Sequence, residues 1–224
     1  MTNPKVLQKF WYELSEKQRT HILQNCHEDY DNFLQGKKFN KELVNQYFKV
    51  DYNEFFDAAR MGKMELVRKF ICLGVDIQYE SDNALRWASK AGRLNVVKYL
   101  VKLGANIHSS NDYAIKHASE YGHFNVVKYL AEQGANIHTT DNYPLKMACN
   151  NGYLDIVKCL VDHGVDFHAS NEYALRIASL EGYIEIVKYL VEKGADIHAN
   201  NDEALKWAVR GNRSDVIKYL KTRV

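Results

Sequence analysis

The sequence predicts an all-α solenoid of stacked helix-turn-helix units, preceded by a helical N-terminal cap. Two series of glycines support this prediction, because the members of each series recur every 30 residues. They are Gly62, Gly92, Gly122, Gly152 and Gly182, and Gly74, Gly104, Gly134, Gly164 and Gly194. In addition, segments 111–140 and 171–200 are two copies of the same pattern. A fixed period of this length indicates a repeat protein, in which neighbouring units bury one continuous core.

The period divides the chain into an N-terminal segment and an array. Residues 1–50 do not follow the repeat, and the array covers residues 51–224. Its units are 51–80, 81–110, 111–140, 141–170, 171–200 and 201–224. The last unit stops within its second helix and is predicted to close the array.

Each unit begins with a column of residues that suits a helix N-cap, because their side chains carry an acceptor oxygen. This column is Ser81, Asn111, Asp141, Asn171 and Asn201. The next position forms the acid column, Asp82, Asp112, Asn142, Glu172 and Asp202. Four residues later comes the base column, Arg86, Lys116, Lys146, Arg176 and Lys206. An acid four residues before a base stabilises a helix by about 0.2–0.5 kcal/mol, so these columns are predicted to pair.

The first helix is predicted to end at the Gly122 column, where a left-handed residue closes it. Pro144 fits its first turn, and Asn212 replaces the glycine in the last unit. In the second helix, the apolar residues of the VVKYL segment form one face. Off that face lies the lysine ladder, Lys98, Lys128, Lys158, Lys188 and Lys218.

The repeated pattern closely resembles the ankyrin repeat. Ala84-Leu85-Arg86 stands where the family has Pro-Leu-His, and GANIH and GADIH stand for its Gly-Ala-Asp-Val-Asn. The resemblance implies a non-catalytic scaffold that binds a partner protein in a concave groove. Segments such as NEYALR and IVKYLVEKGADIHA also resemble the ankyrin proteins of giant, mimivirus-like viruses of amoebae, which implies a viral protein that engages host factors.

The sequence departs from the family in two ways. Its period is 30 residues rather than 33, and the Thr and His of Thr-Pro-Leu-His are absent. The missing residues fall between GANIH and the next helix. We therefore expect the projecting β-hairpin finger to be shortened to a plain turn, with the first helix beginning a turn early at its own cap.

Residues 1–50 read as four short helical stretches, one of which opens with the capping box Ser15-Glu16-Lys17-Gln18. We expect them to cover the apolar face of the first repeat. The alternative is a separate interaction module, because the spacing of Glu13-Leu14 and Ile22-Leu23 resembles an F-box. That resemblance implies an adaptor that links a groove-bound target to a ubiquitin ligase, although the usual Leu-Pro opening is missing.

Composition and short motifs exclude several classes of function. The net charge of +2 is small for a nucleic-acid binder, and the sequence has no run of 18 apolar residues that would suggest a membrane span. The cysteines, Cys26, Cys72, Cys149 and Cys159, form no CxxC pair. We predict an intracellular, cytoplasmic protein with free thiols, in the host cytosol if it is viral. No catalytic motif appears, so neither a catalytic site nor a small-molecule substrate is expected.

Two ladders of titratable residues suggest other activities. His108, His138, His168 and His198 suggest a metal, but rungs about 8–10 Å apart cannot share one zinc ion. We expect turn histidines bonded to neighbouring backbone, and neither a metal nor a cofactor. The lysine ladder leaves open a nucleic-acid-binding protein, although acids or amides three residues earlier match much of its charge.

The predicted partner-binding site comes from comparing the units with one another. Leu85, Ala88 and Ser89 have near-identical counterparts in the other units and are predicted to be scaffold. The opposite face varies between units, which leaves it available for recognition. The predicted partner-binding residues are Trp87, Lys90, His117, Glu120, Tyr121, Met147, Asn150, Asn151, Ile177, Leu180, Glu181, Trp207 and Arg210. Large aromatic and apolar side chains among charged ones are typical of interface centres.

Overall fold

A computed structural model describes residues 51–72, 75–139 and 142–223. Over these ranges the chain forms helices and turns and no strand, which confirms the predicted all-α fold and the absence of hairpin fingers there. The helices are α1 Tyr52–Met61, α2 Met64–Cys72, α3 Tyr79–Lys90, α4 Leu94–Lys102, α5 Ser109–Glu120, α6 Phe124–Glu132, α7 Tyr143–Asn151, α8 Leu154–Asp162, α9 Ala169–Glu181, α10 Ile184–Glu192, α11 Ala199–Arg210 and α12 Ser214–Lys221. The helices predicted within residues 1–50 lie outside these ranges, as does Asp141.

The chain divides into two compact units, Met1–Ala84 and Leu85–Val224. In the described part of the first unit, the Asp51 carboxylate caps α1 by accepting a hydrogen bond from the Asn53 N–H at 2.8 Å. Phe55 is fully buried, and its ring lies 5.7 Å from that of Phe70 on α2. These aromatic contacts hold α1 and α2 together.

The second unit is built from helix pairs that stack one on the next. Val126, Val127 and Leu130 of α6 are at most 1% exposed, as the apolar face of the VVKYL segment predicts. Lys128 lies off this face in solvent. The predicted scaffold column of the first helix is also buried, because Leu85 and Ala88 are 1% and 0% exposed. None of the helices in the part of the chain described here is long and apolar enough to cross a membrane.

The glycines that follow the first helices are left-handed, as predicted. Gly122 has φ 78°, Gly152 has φ 78°, and Asn212 takes the same conformation with φ 55°. Each N–H one residue later bonds back to the helix, as His123 does to the Ala118 carbonyl at 2.8 Å. This pattern is the Schellman motif, which requires a left-handed residue at the glycine position.

A side chain from the next unit packs directly over Gly122 and over Gly152. The Tyr153 ring covers Gly122 and the Tyr183 ring covers Gly152, so closely that a β-carbon on Gly152 would lie 2.5 Å from the ring. Gly134 and Gly164, which follow second helices, are also left-handed, but a β-carbon on either would meet nothing within 4 Å. The first series therefore serves packing between units as well as helix termination.

The predicted N-caps Ser81, Asn111, Asn171 and Asn201 are wrong. Asn111 lies in a run of three left-handed residues, Ser110 to Asp112, with φ between 53° and 59°. Ser81, Asn171 and Asn201 occupy the same position in equivalent runs, with φ 56°, 56° and 61°. The right-handed helix starts after this run, one residue later than the predicted cap implies. The turn that replaces the finger is thus left-handed, and Asn and Asp are the non-glycine residues that tolerate such a backbone best.

Asp112 and Glu172 of the acid column close this turn rather than pair with Lys116 and Arg176 as predicted. Asp112 is 5% exposed, and its carboxylate accepts hydrogen bonds from His108 Nδ1 at 2.8 Å and from the Asn136 N–H at 3.0 Å. Glu172 is bound in the same way by His168 at 2.5 Å and by the Asp196 N–H at 3.1 Å. The rings of His108, His168 and His198 therefore bind carboxylates, which corrects the prediction that they bind backbone.

These contacts link consecutive turns, because Asn136 and Asp196 lie in the turn near the end of the same unit, 24 residues after their carboxylate partners. We call this arrangement the turn clasp. Asn142 occupies the acid column with an amide, and its Nδ2 donates to the Asp166 carbonyl at 2.8 Å instead. The following turn is thus contacted at the same place with the hydrogen bond reversed.

Candidate partner-binding face

The three predicted variable columns lie along the first helices of the second unit, and we call this surface the variable face. Trp87, His117, Met147 and Trp207 are each half-buried, and Tyr121 is 46% exposed. Ile177 differs, because only 6% of it is exposed. It packs within the core and offers almost no contact area, so we leave it out of the proposed contact set.

One end of the variable face is a cluster of two aromatic rings and a lysine. The Lys90 ammonium lies 5.4 Å from the centre of the Trp87 ring and 5.1 Å from the centre of the Tyr121 ring. Cations at this distance are attracted by the ring faces. The cluster holds a charge and two large rings in a fixed arrangement at the surface.

His117 and Glu120 form a polar group beside this cluster. His117 Nδ1 lies 2.8 Å from the Glu120 carboxylate, which also accepts a hydrogen bond from the Tyr143 hydroxyl at 3.2 Å. Burial lowers the pKa of His117, and Lys90 and Lys116 add to the effect, whereas Glu120 raises it. The same carboxylate reinforces burial in raising the pKa of Tyr143. At neutral pH the His117 imidazole is therefore neutral.

The centre of the face is built from amides and apolar groups. Asn151 Nδ2 donates to the Glu120 carbonyl at 2.9 Å, and Asn150 donates to the Asn151 side chain at 3.0 Å. Asn151 thus fastens the end of one first helix to the next. Met147 and Leu180 lie half-buried beside these amides and offer the apolar area of the centre.

The other end of the face is organised by Arg176. Its guanidinium lies 5.5 Å from the Tyr173 ring centre and 5.0 Å from that of Trp207, and it pairs with Glu203 at 3.7 Å. The Lys146 ammonium lies 4.6 Å from the Tyr173 ring centre. Arg210 is exposed at the rim, and Glu181 is 3.8 Å from Arg213.

The base column belongs to this surface, together with tyrosines of the following units, although its sequence pattern predicted only helix stabilisation. Arg86 lies over the Tyr113 ring at 5.2 Å, just as Lys146 lies over Tyr173. The signal in the sequence is a base in five consecutive units, with a tyrosine 27 residues later in three of them.

The lysine ladder lies on the second helices and is partly matched by acids, as predicted. Lys188 Nζ is 2.8 Å from the Glu185 carboxylate three residues earlier. Lys98 and Lys158 lie over the rings of Tyr129 and Tyr189, at 5.5 and 5.8 Å. The ladder is therefore a solvated face whose cations rest on aromatic rings.

The described residues hold no arrangement suited to metal binding. No group of three or more histidine, cysteine or acidic side chains there could hold a metal ion. Cys149 is fully buried, and burial raises the pKa of its thiol. Burial also raises the pKa of Cys159. Neither thiol is disposed to act as a nucleophile, because the thiolate is the reactive form.

Comparisons with known proteins agree with this architecture. The family model described as "Ankyrin repeats (3 copies)" matches residues 55–141 and 145–223. Among solved structures, the crystal structure of the human ASB11 ankyrin repeat domain superposes with a TM-score of 0.69 at 23% identity. The match covers 75% of this chain and 82% of that one. No curated protein matches the sequence.

Proposed function

Because this chain belongs to the family of ankyrin-repeat proteins, we propose that it is a non-catalytic scaffold that binds a partner protein through the variable face. The observation that carries the proposal is the contrast between two sides of the same helices. Leu85, Ala88 and their counterparts are buried and repeat with little change, whereas the opposite columns vary between units and, except for Ile177, remain partly exposed. A surface that varies on a constant backbone is free to be shaped by a partner.

The two ends of the face supply the anchors. Tyr121 with Lys90 forms one, and Trp207 with Arg176 forms the other. Tyr, Trp and Arg are the residues that most often dominate binding energy at interfaces. Met147, Asn150, Asn151 and Leu180 lie between them and complete a continuous strip, with Glu120, Glu181 and Arg210 fixing the orientation of the partner.

Site-specific photo-crosslinking tests this proposal. A benzoyl-phenylalanine at Tyr121 and, in a second protein, at Lys128 on the opposite helices would be irradiated in lysate of the cells that express the chain. We expect a discrete crosslinked protein from position 121 that unlabelled wild-type chain competes away. Met147→Ala should weaken that competition by about tenfold or more if Met147 is a hot spot. Crosslinks from position 128 alone would reject the variable face.

The sequence suggested further roles for the segment outside the described residues. An F-box-like adaptor would need residues 1–50 to recruit a ubiquitin-ligase adaptor while the variable face holds the target. Leu14→Glu in the full chain separates this role from partner binding, because only adaptor recruitment should be lost. A viral protein acting on host factors in the host cytosol, suggested by resemblance alone, is tested by whether the crosslinked protein is a host protein.

Nucleic-acid binding through the lysine ladder is the third possibility. Lys188 is already paired with Glu185, which argues against a free phosphate-binding row. Reversing the charge of Lys98, Lys128 and Lys158 should leave partner binding intact. A steep salt dependence that disappears in this variant would instead indicate phosphate contacts.

A further inference from the structure

A pocket between the second helices α4 and α6 shares no residue with the variable face. We propose that it is a second binding site, in which Lys98 and Lys102 bind a phosphorylated serine or threonine of a protein segment. Its volume of about 580 Å³ falls within the range of about 300–1,000 Å³ that is usual for ligand sites. The residues that line it are Lys98, Val101, Lys102, Tyr129, Glu132 and Gln133. The site goes beyond the proposed function, which concerns the first helices.

The two lysines of the pocket are neighbours on the surface of α4, because they lie four residues apart. Both are exposed, and α4 itself contains no aspartate or glutamate. Within residues 51–72, 75–139 and 142–223, neither lysine forms an ion pair. Like charges at this spacing repel each other. An anion bound between the two ammonium groups would remove that repulsion, so the position suits a negative ligand.

The ring of Tyr129 holds one of the two cations at the pocket. The Lys98 ammonium lies 5.5 Å from the centre of this ring, which belongs to α6, and a ring face attracts a cation at that distance. A side chain held in this way has fewer conformations to lose when it binds a ligand. Burial raises the pKa of Tyr129, so its hydroxyl stays neutral and adds no negative charge to the pocket.

Comparison with the other units shows that the pair of cations is specific to this pocket. The position of Lys102 is occupied by an acid in each of the next three units, namely Glu132, Asp162 and Glu192. No other unit of the array has a base at the positions of both Lys98 and Lys102. The lysine ladder recurs along the second helices, but the second cation one turn later does not. The negative ligand is therefore expected at one place rather than along the whole ladder.

A phosphate group matches the charge of the two lysines. A phosphorylated serine or threonine carries a charge of about −1.5 to −2 at neutral pH and three acceptor oxygens, so that one group can neutralise both ammonium groups. A carboxylate brings a single charge and would leave one lysine unmatched. Lysine binds phosphate as a point charge and does not need the planar geometry that favours arginine at carboxylates.

The acids around the pocket favour a protein segment over a nucleic acid or a membrane. Glu132 and Gln133 line the pocket with exposed side chains, and Asp162 lies at the equivalent place two units after Lys102. A nucleic acid or an anionic membrane would bring further negative charges towards these acids. A peptide instead offers backbone N–H groups to the Glu132 carboxylate, and both donors and acceptors to the Gln133 amide.

Fluorescence anisotropy with short labelled peptides tests the site on the full-length chain. The peptides would be identical except for a central phosphoserine, glutamate or serine. We expect the phosphoserine peptide to bind most tightly and the serine peptide least. Lys102→Glu should weaken the phosphoserine complex by about tenfold or more, as expected for the loss of a charge-assisted contact. The variant should fold, because three other units already have an acid at this position.

The matched control makes the same charge change outside the pocket. Lys128→Glu lowers the net charge equally, and Lys128 is exposed on α6 but does not line the pocket. It should leave the affinity for the phosphoserine peptide unchanged. Equal weakening by the two variants, equal binding of the three peptides, or no binding at millimolar peptide would overturn the proposal. Phosphatidylserine vesicles or a single-stranded oligonucleotide that bind more tightly than the peptide, and are lost in Lys102→Glu, would also overturn it.

The crosslinking experiment separates this pocket from the variable face. Lys102→Glu should leave the crosslink from position 121 intact while it weakens binding of the phosphoserine peptide, and this result would support two independent sites. Loss of the crosslink in the same variant would show that the pocket is part of the partner interface and not a second site. A crosslink from position 128 alone, with peptide binding still dependent on Lys102, would reject the variable face and retain the pocket.

Discussion

The two ends of each first helix are held by different kinds of contact. At the C-terminal end of α7 the contact is steric, because the Tyr183 ring sits on Gly152. At the N-terminal end of α9 it is polar, because the Glu172 carboxylate accepts hydrogen bonds from His168 and the Asp196 N–H. The first end admits no side chain at the glycine, whereas the second tolerates Asp, Glu or Asn. The residue type is therefore restricted more tightly at the end that packs against a ring than at the end that forms hydrogen bonds.

The largest effect should come from adding one carbon at the steric end. Gly152→Ala forces alanine into a left-handed backbone and against the Tyr183 ring, for a loss of about 2–5 kcal/mol in the free energy of unfolding. Gly164→Ala is the matched control, since Gly164 is left-handed too, with φ 88°, but faces open space. It should lose only about 1–2 kcal/mol. If chemical denaturation gave equal losses of unfolding free energy for the two variants, the ring contact would contribute nothing to stability.

A smaller effect is expected at the polar end. Asp112→Ala removes the acceptor of two hydrogen bonds and leaves the Asn136 N–H without its partner, at a cost of about 1–3 kcal/mol. Asp202→Ala is the control, because Asp202 pairs with His198 at 2.7 Å while 48% of its side chain is exposed. The same denaturation measurements should give a clearly smaller loss for Asp202→Ala. A loss as large as that of Asp112→Ala would mean that the hydrogen bond from Asp112 to the next turn adds no stability.

Thiol labelling compares how far each end opens in the native state. Burial raises the pKa of Cys149, so it should react with a thiol reagent at pH 8 only when the structure opens. In a background with Cys26, Cys72 and Cys159 replaced by serine, we expect Gly152→Ala to accelerate labelling strongly, because Cys149 lies three residues before it. Asp112→Ala should accelerate it less. The reverse order would place the weaker contact at the steric end.

The smallest expected effect is a pH dependence at His117, near the C-terminal end of α5. Its pKa is lowered in the folded chain, mainly by burial, so the unfolded chain binds the proton more readily. Its contribution to stability is therefore present above the ordinary pKa of about 6.5 and is lost as pH falls below it. The melting temperature of wild type relative to His117→Asn should fall between pH 7 and pH 5. A difference that stays constant over this range would contradict the assignment.

The sequence was sufficient to predict the helices, because their apolar periodicity and glycines are local features. Gly122 and Asn212 are left-handed as expected, and Val126 and Leu130 are buried as expected. The turn was mispredicted because Asn is favoured both as an N-cap and in a left-handed backbone. Its three-residue run is identified only when Asp112 is seen to reach the next turn, which no local pattern reports.

The sequence predicted only part of the variable face. Variation between units identified positions such as Tyr121, but it could not separate exposed from buried members of a column. Ile177 is buried although its counterparts Trp87 and Met147 are half-exposed. The base column was interpreted only as helix stabilisation because it does not vary between units. The structure shows in addition that Arg86 lies over the Tyr113 ring and Lys146 over the Tyr173 ring.

Contacts at fixed offsets have a consequence for how such a chain can change its length. The turn clasp reaches 24 residues ahead, within one unit, and the ring over the glycine reaches 31, so neither contact extends beyond the neighbouring unit. An in-frame duplication or loss of one 30-residue segment brings together ends that already carry both halves of each contact. Duplication or loss of a whole segment such as 111–140 would thus lengthen or shorten the recognition surface in whole steps, without first inventing a new junction.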